Sequence, residues 1–203
     1  MKKFIILIII ACAVWYFFIH KTTIKNAGQP ISVIVAFGDS LTAGEGGGNP
    51  VQNSYPAVLA QLTGKTVINA GYAEETALNA PKYIDKVLSY KPQMVLIEFG
   101  SSDFLQRINV DQSVASIAQI VDAVQAAGAI AVIVDTGGRG MGVYTKAYKK
   151  LARQKQAVFV PGILNKIFNK REYMSNMLLP NFRGYKIVAE QVHLGIDPYL
   201  DHN

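Results

Sequence analysis

The run AFGDSLTAGEG, residues 36–46, sets Ser40 in a Gly-Asp-Ser turn directly after an apolar stretch, which is how a fold presents a nucleophile. A serine hydroxyl is scarcely ionised at neutral pH, so attack on a carbonyl needs a base to take its proton. The chain has three histidines. His20 abuts an apolar N-terminal segment, His202 is next to the last residue, and His193 falls near the end of the last helical pattern. That pattern begins near Asn181, which puts His193 roughly 18 Å along the helix from the end near the serine. Asp39 adjoins Ser40, but neighbours in a turn point apart. No histidine is therefore expected to serve as the base.

The elements that position Ser40 are legible as short apolar runs alternating with amphipathic segments. ISVIVAF (31–37), TVIN (66–69), MVLIEF (94–99), IAVIVD (130–135) and AVFV (157–160) are Val- and Ile-rich and almost continuously apolar, as strands covered on both faces must be. Helices are expected over 54–63, 80–90, 112–127, 144–155 and 182–193. In the fourth, Tyr144, Ala147, Tyr148 and Leu151 recur at helical spacing, with lysines on the other side. This alternation predicts a three-layer α/β/α sandwich around a five-stranded parallel sheet of flavodoxin-like type. Ligands of such sheets bind beyond the carboxyl ends of the strands. The loops that fall there are GDSLTAGEGGG, AGYAEET, GSSDF and TGGRGMG.

Those loops, in that order, resemble the GDSL or SGNH hydrolases, in particular the bacterial arylesterase and lysophospholipase/thioesterase subgroup. The likeness extends over about 33–200 and rests on FGDSLTAGEG, VINAG, KPQMVLIEFGSSD, GMGVYTKAYKKLA, VFVPGIL and LPNFRGYKIVAEQV. It implies an SGNH-hydrolase fold and attack by Ser40 on an ester or thioester carbonyl. A histidine from a D-x-x-H-P-N run would act as base. The serine N–H, a glycine N–H and an asparagine side chain would form the oxyanion hole.

Carried over by position, the chain keeps the nucleophile and departs elsewhere. Ser102, in GSSD, stands at the asparagine of the oxyanion hole, with Asp103 retained. Glu74, in YAEET, stands at the glycine; its N–H can still donate, but its carboxylate opposes a developing negative charge. In NMLLPN (176–181), Pro180 and Asn181 match the P-N pair, so Leu179 occupies the base position and Asn176 that of its orienting acid. Leucine accepts no proton. A buried Glu74 carboxylate is the one substitute base the loops offer. The resemblance thus implies either a silent member that binds an acyl-ester, lipid or glycan ligand or serves an envelope complex, or an esterase, thioesterase or lysophospholipase working through Ser40 with an unconventional base.

The N-terminus reads as a membrane element. Lys2 and Lys3 precede an uncharged apolar stretch from Phe4 to Ile19, followed by His20 and Lys21. As a helix this would span roughly 24 Å, somewhat short of a roughly 30 Å hydrocarbon core. Bulky aromatics at 15–18 replace a small-residue cleavage site, which favours an uncleaved signal anchor with the globular part outside the bacterial cytoplasm, on the inner membrane. The expected organisation is an anchor at 1–21, a polar linker at 22–30 and an SGNH-like domain at 31–203.

Cys12 is the only cysteine, so no intrachain disulfide forms. Although IIAC resembles a lipoprotein box, the apolar AVWYFFI that follows makes Cys12 read as a small residue of the apolar segment. The formal net charge is +6. From Lys146 to Arg171 there are eight basic residues and no acidic one, which suits a solvated face or a footing on anionic lipid or another polyanion. No nucleic-acid motif accompanies this run, no cluster has metal-ligand spacing, and neither GGRGMG nor GEGGG is a phosphate-binding loop. No cofactor is implied.

Overall fold

The computed structural model describes residues 23–201. Cys12, His20, His202 and the apolar stretch at 4–19 lie outside them. Among the described residues no helix is long and apolar enough to cross a membrane.

Five parallel strands form one sheet: β1 (Val33–Gly38), β2 (Thr66–Gly71), β3 (Met94–Glu98), β4 (Ile130–Val134) and β5 (Val158–Val160), in the order β2-β1-β3-β4-β5. This is the flavodoxin-type order, and the α/β reading of the sequence holds. Strand ends differ from expectation by one or two residues.

Burial on both faces follows from strict alternation. Ile34 and Ala36, Met94 and Leu96, and Ile130, Val132 and Val134 enter one core. Val35 and Phe37, Val95 and Ile97, and Ala131 and Ile133 enter the other. The first core is roofed by α3 (Tyr55–Thr63) and α8 (Phe182–Ile196). The second is roofed by α4 (Ile84–Ser89), α6 (Val110–Ala126) and α7 (Gly142–Lys155).

Tyr144, Tyr148 and Leu151 of α7 are buried, as their spacing required. The expected helix at 80–90 is instead a 3₁₀ turn, Ala80–Tyr83, running into α4. Three short helices escape the sequence pattern, because a single turn shows no periodicity: α1 (Ser40–Ala43), α2 (Pro50–Asn53) and α5 (Ser101–Leu105).

The stretch read as a linker is tied down. The Lys25 N–H donates to Gln156 O at 2.9 Å. Asn26 Nδ2 donates to Gln125 O and Ala129 O, each at 2.9 Å. Gln29 Nε2 donates to Gly128 O at 2.7 Å, and Ile24 packs on the core. The chain thus joins the domain at the C-terminal ends of α6 and α7, the end of the sheet opposite the carboxyl ends of the strands.

Two glycines let α1 settle onto the sheet. A Cβ at Gly38 would overlap Thr42 and Glu98, and one at Gly71 would overlap the backbone of Thr42 and Ala43. Neither position has room for a side chain, so close approach rather than conformational freedom is what demands glycine there.

Candidate active site

Ser40 opens α1 at the carboxyl end of β1. Asp39 caps this helix, its Oδ1 accepting from the Leu41 N–H at 3.0 Å. With that carboxylate turned inward to the cap, the Ser40 side chain faces a cavity of about 300 Å³. The walls are a mixture of acidic residues, Glu45 and Glu74, and apolar ones, Leu105, Leu178 and Leu179; Glu74 is exposed, not the buried carboxylate the sequence suggested.

The Ser40 Oγ accepts a hydrogen bond from the Glu74 backbone N–H at 2.8 Å. It is the hydroxyl's one bond with the described residues. The donor is an amide, which can polarise an oxygen but cannot remove its proton.

Glu74 makes this contact from a left-handed conformation, φ 59°, where a Cβ costs about 1 to 2 kcal/mol. Gln106 Nε2 donates to Glu74 O at 3.3 Å and helps hold the turn. The Glu74→Gly variant is expected to be as stable as the parent or more stable by up to about 1 kcal/mol, because relieved strain outweighs added chain entropy. Thermal denaturation checks this; a fall in stability would mean that the Glu74 side chain makes a contribution of its own.

Beneath the serine lies a buried acidic pair. Glu98, at the end of β3, is fully enclosed, and Asp39 is 1% exposed. Thr42 Oγ1 donates to Glu98 Oε2 at 2.8 Å and lies 3.1 Å from the Tyr55 hydroxyl, while Glu98 Oε1 is buried without a partner. Burial pushes Asp39 up from 3.8 to about 6, against the pull of the Leu41 and Ser102 N–H donors. Burial, and then the Asp39 charge, push Glu98 well above the usual carboxylate range.

Sequence reasoning did not single out Glu98. Its signal was present as the lone acidic residue inside the apolar strand MVLIEF. Glu45 and Leu178 also line the cleft without having been singled out, although Glu45 falls in the GDSLTAGEGGG loop and Leu178 in NMLLPN.

Ser40, Glu74, Ser102 and Leu179 do come together around one cavity. Ser102 is buried, and its N–H donates to Asp39 Oδ2 at 3.3 Å, so its backbone serves the acidic pair. Asp103 accepts from the Ala77 N–H at 2.9 Å and from the Ser113 hydroxyl, which fastens the second and third loops together.

Asn176 is exposed and lies beside a neighbouring depression rather than in the Ser40 cavity. Its Oδ1 accepts from the N–H groups of Leu178 and Leu179, each at 2.8 Å, and thereby shapes the turn that delivers Leu179. His193 sits in the last turn of α8, 3.5 Å from Asp197, away from the cleft. Among the described residues, no group of three or more His, Cys, Asp or Glu is arranged to hold a metal ion.

Comparison with known proteins agrees with this geometry. The sequence model described as the GDSL-like lipase/acylhydrolase family matches residues 36–187. An arylesterase from Vibrio mimicus is 26% identical over 163 residues, covering 74% of this chain and 80% of the relative. Thioesterase 1/protease 1/lysophospholipase L1 from Escherichia coli K12 is 25% identical over 198 residues, 93% of each chain. Two solved structures share the fold. TesA has a TM-score of 0.77 at 22% identity, covering 83% of this chain and all of that one. The psychrotrophic esterase EstA from a Pseudoalteromonas species, inhibited by monoethylphosphonate, has a TM-score of 0.73 at 24% identity over 83% of this chain and 98% of its own.

Proposed function

Because this chain belongs to the GDSL-like lipase/acylhydrolase family, we propose that it is a family member that retains the nucleophile serine and the cleft but has lost turnover, and that it acts by holding an acyl-ester, lipid or glycan ligand or as a subunit of an envelope complex. One observation carries the reading: the bond made to the Ser40 hydroxyl comes from a donor, the Glu74 N–H, and a leucine side wall stands where the family's base is expected. Loss of the serine or histidine of such a triad costs on the order of 10⁶-fold in turnover. The cleft itself is intact and its leucines suit an apolar acyl group.

The same reading makes residues 1–21 a membrane anchor with the domain on the extracytoplasmic side, supported by the uncharged stretch Phe4–Ile19 behind Lys2 and Lys3. The chain meets the domain at the end of the sheet opposite the cleft. A strand as long as β1 separates the two by roughly 20 Å, so the cleft opens away from the anchor.

The purified full chain is expected to hydrolyse p-nitrophenyl acetate and butyrate no faster than its Ser40→Ala variant, and to resist labelling by a fluorophosphonate probe. Serine-dependent hydrolysis would reject the silent reading. A second reading, an esterase or thioesterase with a carboxylate base, is favoured by Glu45 and Glu74 lining the same cavity. It requires serine-dependent turnover that falls by about 10²-fold or more in Glu74→Gln or Glu45→Gln.

A further inference from the structure

We propose that the outer face of α7 is a docking surface for anionic lipid headgroups of the membrane that holds the N-terminal segment. The proposal rests on the anchor reading above.

The first support is charge. Lys146, Lys149, Lys150 and Arg153 fall three and four residues apart on one face of α7 and are all exposed. Together with Gln154 they wall an open groove of about 460 Å³. Lys155 is neutralised by Asp122, with 2.7 Å between Nζ and Oδ2. The other four make no ion pair with any described residue. A protein with these cations unpaired on one helix face presents several positive charges side by side, each of which is attracted to an anionic bilayer.

The second support is where the chain goes. The Lys25 N–H is bonded to the carbonyl of Gln156, which caps the C-terminus of that same helix. From Ile19, the last residue of the apolar stretch, to Lys25 the chain spans at most roughly 20 Å when extended. From Gln156 back to Lys146 covers about 15 Å of helix. The membrane surface must therefore lie within reach of the very helix that carries the unpaired cations. A bilayer with anionic lipid is the occupant that both facts select. Lying on that face leaves the Ser40 cleft, at the far end of the strands, open to solvent.

The test uses the full chain with vesicles of phosphatidylcholine alone or of phosphatidylcholine doped with phosphatidylglycerol. Flotation reads attachment. Modification by a membrane-impermeant amine reagent, read lysine by lysine by mass spectrometry, reads the face. Lys186, exposed on α8 across the sheet, normalises for orientation.

The expected result is flotation with both compositions, with Lys146, Lys149 and Lys150 modified about fivefold more slowly than Lys186 only on the anionic vesicles. High salt should abolish that protection, as should Lys149→Glu with Lys150→Glu, while flotation persists. Flotation with equal modification on both vesicles overturns the docking face and leaves the anchor standing. Flotation on anionic vesicles alone rejects the anchor yet supports the face. Flotation on neither overturns both.

Discussion

An Asn176→Asp/Leu179→His variant is expected to hydrolyse p-nitrophenyl acetate about 10²- to 10⁴-fold faster than the parent chain, the range a well-placed general base supplies. Leu179 already lines the Ser40 cavity, so an imidazole there starts on the correct wall. Asn176 Oδ1 holds the turn by accepting from the Leu178 and Leu179 N–H groups. An aspartate keeps those bonds with one oxygen and offers the other to the imidazole Nδ1–H, which orients the ring and stabilises its charged form.

The gain should stop short of a full triad. Glu74 still adds an acidic residue to the cavity, and the Ser102 N–H still serves Asp39. Adding Glu74→Gly and Ser102→Asn should raise the rate further. Introducing Ser40→Ala into the double variant should return it to the parent level. Activity that survives Ser40→Ala would mean that the new imidazole acts without the serine, and the geometry inferred for the cleft would be wrong.

Thermal stability is expected to be highest on the acid side of neutrality and to fall as pH rises, which is unusual for a protein with surface carboxylates. The sign follows from the buried pair. Asp39 titrates at about 6 in the folded chain, against 3.8 ordinarily, so between those values the folded state holds a proton that the unfolded state has released. Stability present below pH 3.8 is thus lost as pH climbs through about 6. The loss is of order 3 kcal/mol, at 1.36 kcal/mol per unit.

Glu98 is pushed well above the carboxylate range, so its share of the loss extends to higher pH. Asp201 and Glu75 shift the other way, but both lie near the surface and solvent screens them. Glu98→Gln imitates the protonated acid: its carbonyl can accept from Thr42 and its amide cannot ionise. Its melting temperature should exceed that of the parent at pH 8 by roughly 5 °C and match it at pH 5. An unchanged difference across pH would show that the pair does not govern the curve.

Much of the site was legible because its signals are local. A Gly-Asp-Ser turn after an apolar run declares itself from residue order alone, while the leucine before the C-terminal Pro-Asn gains meaning only from the family resemblance. Glu74, Ser102 and Leu179, named through the family resemblance, do line the Ser40 cavity, whereas Asn176 lies beside it. The strands were legible because a parallel sheet buried on both faces requires runs such as SVIVAF and MVLIEF, whatever their partners.

What the sequence by itself determined about this protein was therefore the layered α/β class and the serine in its turn at the end of the first strand. Tertiary structure alone decided whose atoms meet. The Glu74 amide reaches the Ser40 hydroxyl across 34 residues of chain. Glu98 and Asp39 share an enclosure because β1 and β3 pair with Gly38 opposite Glu98. Lys25 lands on the cap of α7. The physical reason is common to all three: hydrogen bonds, desolvation and charge act over a few ångströms in space, and only the folded register fixes which distant residues fall within that range.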